Sequence, residues 1–466
     1  MATFQPDPKR WLALALLCAA QFIVILDTSI IGVALPAMQT DLGFTPESLS
    51  WIFNAYVIAF GGLLLLGGKL GDIFGARRMF MLGFAILTGA SLLAGLASSQ
   101  EFLLAGRALQ GVGAALIAPS ALTIVMRLFG HNGAELGKAF GFWGAAAAAG
   151  GTAGVFLGGV ITEWLSWPWT FLINVPLGLV VFALAPTVIR YAAPVRGRID
   201  WIGALTVTAS LVTAVYAIVT TEPGQWTSPQ TLLLLGAAVA LLVLFLVLQA
   251  ISREPLLPLR IFAAPNLAVG NLLMALLGAA WIPLWFYLNL YLQQTLGLSA
   301  LYSGLALLPM TLTIMVVMVG LSGKLVARFG IKANIVIGLL AMAGSLLLFS
   351  RVPEGGSFGV DVLPASLLGA LGMALAYIPT TMSGMAGARP EETGLASGLI
   401  NTTYQVGSAV GLAVMVALAA QADGTAGPLE GFHAAFLGGA VVAGFGALTA
   451  LVLLHGAPAA REVPVG

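Results

Sequence analysis

Gly68-Lys69-Leu70-Gly71-Asp72-Ile73-Phe74-Gly75-Ala76-Arg77 returns 255 residues later as Gly323-Lys324-Leu325-Val326-Ala327-Arg328-Phe329-Gly330-Ile331-Lys332. Gly, Lys, Leu, Phe, Gly and a terminal base coincide. Just upstream, Gln39-Thr40-Asp41-Leu42-Gly43 pairs with Gln294-Thr295-Leu296-Gly297 at nearly the same shift. Further along, Gly154 and Gly158 match Gly407 and Gly411 at a shift of 253. Each copy lies between long apolar stretches, so the chain reads as two similar membrane-embedded halves running in the same direction.

Composition agrees. The 466 residues carry 19 Lys+Arg and 18 Asp+Glu, so 8% of the chain is charged, against roughly 25% in soluble domains. Hydrophobic residues make up 59% and mean hydropathy is +1.02. Too little polar surface remains for a soluble enzyme. A net charge of +1 offers no basic face for nucleic acid. The single Cys18 excludes an internal disulfide framework, and His131, His433 and His455 are too scattered for a zinc site. The expectation is an all-α polytopic membrane protein with no metal and no cofactor.

A window of about 19 residues predicts fourteen spans at 11–34, 48–67, 79–97, 102–125, 138–161, 170–189, 201–220, 231–250, 267–293, 302–322, 334–351, 362–386, 393–420 and 433–455. The first apolar run is too long for a signal peptide and no small-residue cleavage site follows it, so it reads as a retained helix. With both termini cytoplasmic, 17 of the 19 bases fall on inner connections, as the positive-inside rule requires. Arg351 alone lies on an outer connection and Arg107 lies within a span. Spans 1–6 and 9–14 form the halves, and spans 7 and 8 are an inserted hairpin without a counterpart. The expected domains are therefore 1–198, 199–252 and 253–466.

Two parallel six-helix repeats with such an insert, a 6+2+6 plan, resemble the fourteen-helix drug:proton antiporter family of the major facilitator superfamily. Leu26-Asp27-Thr28-Ser29-Ile30-Ile31, continuing to Ala34-Leu35-Pro36, resembles that family's first-helix signature. Gly68 to Arg77 resembles the superfamily's cytoplasmic loop motif, and Arg107-Ala108-Leu109-Gln110-Gly111-Val112-Gly113 its fourth-helix motif. Gly150 to Gly159 is similar to the glycine-rich fifth-helix motif linked with antiporters, and Trp164 to Pro176 also reads like this family. The chain departs from the pattern at Gly154-Val155, where Gly-Pro is usual, and at Ile73 and Ala76, where a base is frequent.

A charge at mid-membrane costs about 2.5–3.5 kcal/mol, so Asp27 and Arg107 need a partner, water or a task. Both are placed roughly 8–10 Å below the outer ends of their helices, and in the resembling fold both helices line the central cavity. Arg107 stays protonated while Asp27 can titrate. The pair is thus either a proton-coupling centre, as the resemblance implies, or a permanent ion pair pinning two helices. Gly68, Asp72, Gly75, Arg77 and Arg78 are expected to form a turn and a charge cluster that latches the halves. The alternative is a plain turn with positive-inside retention. Gly150, Gly154, Gly158 and Gly159 leave one face of span 5 bare for close packing, with the antiporter link resting on resemblance. Expected cavity residues are Gln21, Asn54, Tyr56, Gln110, Trp143, Trp281, Tyr377, Asn401, Tyr404 and Gln405, with Asn271 and Asn289 as further polar positions. Trp285, Tyr287 and Tyr291 read as an aromatic belt at the membrane interface.

No acid is expected at mid-membrane in spans 9–14, which suits a large amphipathic substrate, neutral or monocationic. The reading is a monomeric, proton-driven exporter of drugs or antibiotics in the inner (plasma) membrane, with the proton as coupling ion and alternating access as mechanism. Competing readings are export of a lipid or endogenous secondary metabolite, or a non-transporting sensor, which the short expected tails disfavour. Enzymatic spacing is not found.

Overall fold

The computed structural model describes residues 8–129, 133–190, 199–221, 225–388, 393–426 and 428–455. His131, Arg196, Arg198, Arg389 and Arg461 lie outside the described residues, as does the expected boundary at 198.

Helices dominate because apolar runs of this length leave backbone groups no partner in lipid except one another. In chain order the helices of the first half are α1 Arg10–Leu42, α2 Pro46–Phe74, α3 Ala76–Gly95, α4 Gln100–Phe129, α5 Gly133–Trp164 and α6 Trp169–Val188. The hairpin is α7 Trp201–Thr220 and α8 Pro229–Ile251. The second half holds α9 Pro265–Leu290, α10 Ala300–Val316, α11 Ser322–Phe349, α12 Leu363–Met385, α13 Thr393–Ala426 and α14 Pro428–Leu453. The first helix outruns its expected end at 34: it passes through Pro36 and stops at Gly43, in the left-handed conformation at φ 70°. Asp27 therefore sits near the middle of α1 rather than near its end.

Thirteen helical runs among the described residues are long and apolar enough to cross a bilayer, with Ala300–Phe349 counted as one run of 50 residues. Straight, that run would extend about 75 Å, more than twice the ~30 Å apolar core. It is broken at Gly330, where φ 79° and ψ 167° are non-helical. Asn334 Nδ2 fastens the break, donating to the carbonyls of Leu325 (3.0 Å) and Gly330 (2.7 Å). Its counterpart 255 residues earlier, Gly75, turns α2 into α3 at φ 94° and ψ 127°. Both copies of the repeated loop thus turn on the same glycine, a backbone that a Cβ would oppose.

Packing repeats as well. The pairings of α1 with α5 and of α3 with α4 recur as α9 with α13 and α11 with α12. Between the halves, α5 meets α10 and α2 meets α13. The helices alternate in direction, so Arg10, Lys69, Arg77, Arg78 and Arg127 share one end, here the basic end. At the opposite end Gln294 Nε2 donates to Gln39 Oε1 (2.8 Å), Gln293 Nε2 to the Val33 carbonyl (2.8 Å) and Leu301 N to Glu163 Oε2 (3.4 Å). Gln39 and Gln294 are the equivalent glutamines of the two repeats, meeting across the seam.

The hairpin covers the other seam. α7 packs on both α2 and α13, with a Cβ at Gly62 only 2.7 Å from Thr208 Oγ1. A polar knot fixes its base, Gln249 Nε2 donating to Asp200 Oδ2 (2.7 Å) and Leu257 N to Gln249 Oε1 (2.9 Å). α8 turns Leu232, Leu233, Val239 and Leu242 outward, a face suited to lipid.

Candidate functional site

α1, α2, α4 and α6 converge on Asp27 and Arg107, both fully buried. Arg107 Nη1 donates to Asp27 Oδ2 (2.9 Å) and to Gln110 Oε1 (2.8 Å), and its Nε donates to the Ile52 carbonyl (3.0 Å). The other carboxylate oxygen, Oδ1, accepts from Gln110 Nε2 (2.7 Å) and Asn174 Nδ2 (2.6 Å). Gln110 Nε2 also reaches Ser91 Oγ (2.8 Å). The guanidinium lies 4.5 Å from the centroid of the Tyr56 ring and 5.9 Å from that of Phe171, within cation–π range.

A buried ion pair repays its desolvation only when the remaining lone pairs and protons are satisfied. Here both carboxylate oxygens are engaged, and amide donors share the charge with the guanidinium. Yet Arg107 Nη2, Asn174 Oδ1, Tyr56 Oη and both side-chain polar atoms of Asn54 have no hydrogen-bond partner. The centre is closed to solvent and incompletely saturated.

Glycines set its geometry. A Cβ at Gly150 would lie 2.6 Å from the Phe22 carbonyl oxygen, at Gly154 2.7 Å from Ser29 Cβ, and at Gly158 2.7 Å from the Ile30 carbonyl oxygen. The bare face of α5 therefore lies directly on α1, bracketing Asp27. Gly159 turns instead to α10, its Cβ position 2.8 Å from the Ala300 carbonyl oxygen. In the second half Gly407 and Gly411 abut Ala275 and Ala279 of α9 in the same manner.

Several expectations need correction. Gln110, Asn54 and Tyr56 do not line open space: all three are fully buried, and Gln110 and Tyr56 belong to the Asp27–Arg107 centre. Trp281 is buried too, 6.3 Å from Trp285 between ring centroids. Trp285, Tyr287 and Tyr291 form no interfacial belt; they are buried, with Tyr291 Oη donating to the Pro353 carbonyl (2.8 Å). The end of α9 and the turn after it are buried on every side, residues 283–292 without a break, which an outer-end position alone does not reveal. Gln21 and Trp143 are half-buried. Tyr377 and Tyr404 meet edge-on at 5.7 Å. Asn401 is exposed on α13, and Gln405 presses its Cβ against Gly61 across the seam with α2.

At the basic end Asp72 is exposed, as is Arg78, while Arg77 is half-buried. Among the described residues Asp72 forms no ion pair with Arg77 or Arg78; the cations acting on it are Arg127 and Lys69. Lys69 itself pairs with Glu254 at 3.5 Å, in the connection between α8 and α9. The turn at Gly75 carries Arg77 and Arg78 onto α3.

Asn174 and Ser91 were not anticipated as site residues. Their only signal is a polar side chain inside an apolar span, which many packing residues share.

A family model described as Major Facilitator Superfamily matches residues 17–412. The cephamycin export protein CmcT of Amycolatopsis lactamdurans is 40% identical over 97% of this chain and 94% of its own. The puromycin resistance protein pur8 of Streptomyces alboniger is 38% identical over 88% of this chain and 82% of its own. Among solved structures, the nucleoside transporter NupG superposes with a TM-score of 0.68 at 14% identity, covering 95% of this chain and 99% of that one. A family pattern over most of the sequence, near full-length relatives and the same all-helical fold lead to one conclusion: the chain belongs to the major facilitator superfamily.

Proposed function

We propose that this multi-pass membrane protein is a proton-coupled exporter of amphipathic antibiotics working by alternating access, in the fourteen-helix drug:proton antiporter branch of its superfamily. The observation that carries the reading is the Asp27 carboxylate, sealed in the first bundle and held by donors from α4 and α6. A carboxylate is the one ionisable group there that can take up and give back a proton while its partner stays charged. The relatives named for antibiotic export or resistance support the cargo class.

With the Gly330 break read as a reversal, the chain makes fourteen crossings, the basic end faces the cytoplasm with both termini, and the protein works as a monomer in the plasma membrane. Substrate meets the edge-on Tyr377–Tyr404 pair, Asn401 and Gln405, groups that suit a neutral or monocationic amphipath. Outward opening requires the Gln39–Gln294 and Gln293–Val33 bonds to part. One proton descending about one pH unit and ~100 mV releases about 3.7 kcal/mol, which sustains a roughly five-hundred-fold gradient of a neutral solute.

The test is efflux of puromycin, a monocationic amphipath, from proteoliposomes with an imposed pH gradient. Export that needs the gradient, and is lost in Asp27→Asn at normal protein levels, is the expected result. Rates indifferent to the gradient, or normal transport by Asp27→Asn, overturn the reading; export of lipid alone replaces the substrate class.

A further inference from the structure

Every group bonded to the Asp27 carboxylate is a donor, which suits its charged form, and one of those groups, Asn174, holds an unpartnered acceptor. Oδ2 faces Arg107 Nη1, a cationic donor at every pH, and the carbonyl oxygen of a carboxylic acid accepts from such a donor better than its hydroxyl does, so the protonated form that keeps the Arg107 bond carries its proton on Oδ1. Oδ1 currently meets two donors, Gln110 Nε2 and Asn174 Nδ2. A protonated Oδ1 keeps room for one of them and needs an acceptor in place of the other. Gln110 cannot supply it: its Oε1 holds Arg107 Nη1 and its Nε2 also holds Ser91 Oγ, so reversing that amide would turn donors against the guanidinium. Asn174 is free to do so. It is fully buried, its Nδ2 has Asp27 as partner, and its Oδ1 has none.

We infer that Asn174 is a positioning residue that reads the proton on Asp27 by turning its side-chain amide over, donating to the carboxylate and accepting from the acid. The turn is a rotation about one terminal torsion, which is broad and two-fold, and it brings the idle Oδ1 into use. No proton moves onto Asn174; it passes between water and Asp27 Oδ1 only. The titratable groups facing Asp27 are Arg107 on α4 and the Tyr56 phenol on α2; α5 presents glycines and α6 presents Asn174. Asn174 opens the helical segment Asn174–Val188, so the amide also ties the proton state of α1 to the start of α6. The inference rests on the coupling role proposed for Asp27.

Infrared difference spectra of the full-length protein in liposomes, with ¹³C at the asparagine side-chain carbonyl, test it directly. On acidification one labelled carbonyl band should move to lower frequency together with the rise of a carboxyl band. Both changes should vanish in Asp27→Asn, and the labelled one alone in Asn174→Leu. In transport, Asn174→Leu should slow gradient-driven puromycin efflux about tenfold, about 1.4 kcal/mol, with puromycin binding unchanged. A carboxyl band assigned to Asp27 with no labelled carbonyl moving overturns the inference while leaving proton coupling intact. Absence of any Asp27 carboxyl band overturns the coupling reading, and this inference with it. Where Asn174→Leu fails to fold, Asn174→Ser takes its place, and a labelled band that still moves in it overturns the inference.

Discussion

Gly154→Ala is the sharpest probe of how α5 holds α1. The added Cβ would lie 2.7 Å from Ser29 Cβ and 3.1 Å from both Ile30 N and the Leu26 carbonyl oxygen. Carbon atoms settle at about 3.5–4.0 Å, and the obstructing atoms belong to backbone or sit next to it. No flexible tip can swing aside, so α5 must back off by about 1 Å. Overpacking of this kind costs about 1–3 kcal/mol, and the better helix propensity of Ala returns about 1 kcal/mol. Gly141→Ala is the control on the same helix, since nothing lies within 4 Å of its Cβ position; it should gain stability by up to about 1 kcal/mol. Unfolding of the detergent-purified variants should therefore separate them by about 1–3 kcal/mol. Gly154→Ala should also transport more slowly, because the displaced stretch of α1 carries Asp27, whose hydrogen bonds are 2.6–2.9 Å long. Equal stability of the two variants would show that α5 does not lie backbone-close on α1.

Arg107→Met should destabilise the protein by about 3–5 kcal/mol, because it strands a buried carboxylate, and adding Asp27→Asn should recover most of that loss in a double-mutant cycle. A double variant no more stable than Arg107→Met alone would dissolve the pairing. Gly330→Ala should cost about 1–3 kcal/mol through backbone strain, whereas Gly323→Ala, helical and with nothing within 4 Å, should cost nothing in the same unfolding assay. Lys69→Gln removes a half-exposed pair with Glu254, so unfolding should shift by less than about 1 kcal/mol; a larger loss would make that contact a structural staple.

Long-period features were legible in the sequence. The repeated loop located both turning glycines, Gly75 and Gly330, since a positive φ leaves a residue-type signature. The charges Asp27 and Arg107 announced themselves by cost alone, and the four-residue glycine spacing of α5 disclosed a contact face though not that α1 fills it. Features set by direction around a helix axis were not legible. Gln110 and Asn54 read as cavity residues because a polar group in a span can face water or protein equally well; here they face protein. The aromatic cluster at Trp285 and Tyr291 sits at a belt's depth, and only packing reveals that it points inward. The hydropathy window ended the first span at 34, yet α1 runs on through Pro36 to Leu42, since a membrane helix tolerates proline where neighbours re-satisfy the freed carbonyl. Asn174 showed only as a polar side chain in an apolar, family-like stretch, because its importance lies in reaching Asp27 across 147 positions of chain.

Exchange of a proton on Asp27 for substrate requires that puromycin, added to purified protein in weakly buffered detergent, displace that proton into the medium, where a pH indicator records it. Wild-type protein should release protons on drug addition, and Asp27→Asn, with unchanged folding, should release none. Release by Asp27→Asn equal to that of the wild type would place the coupling proton elsewhere.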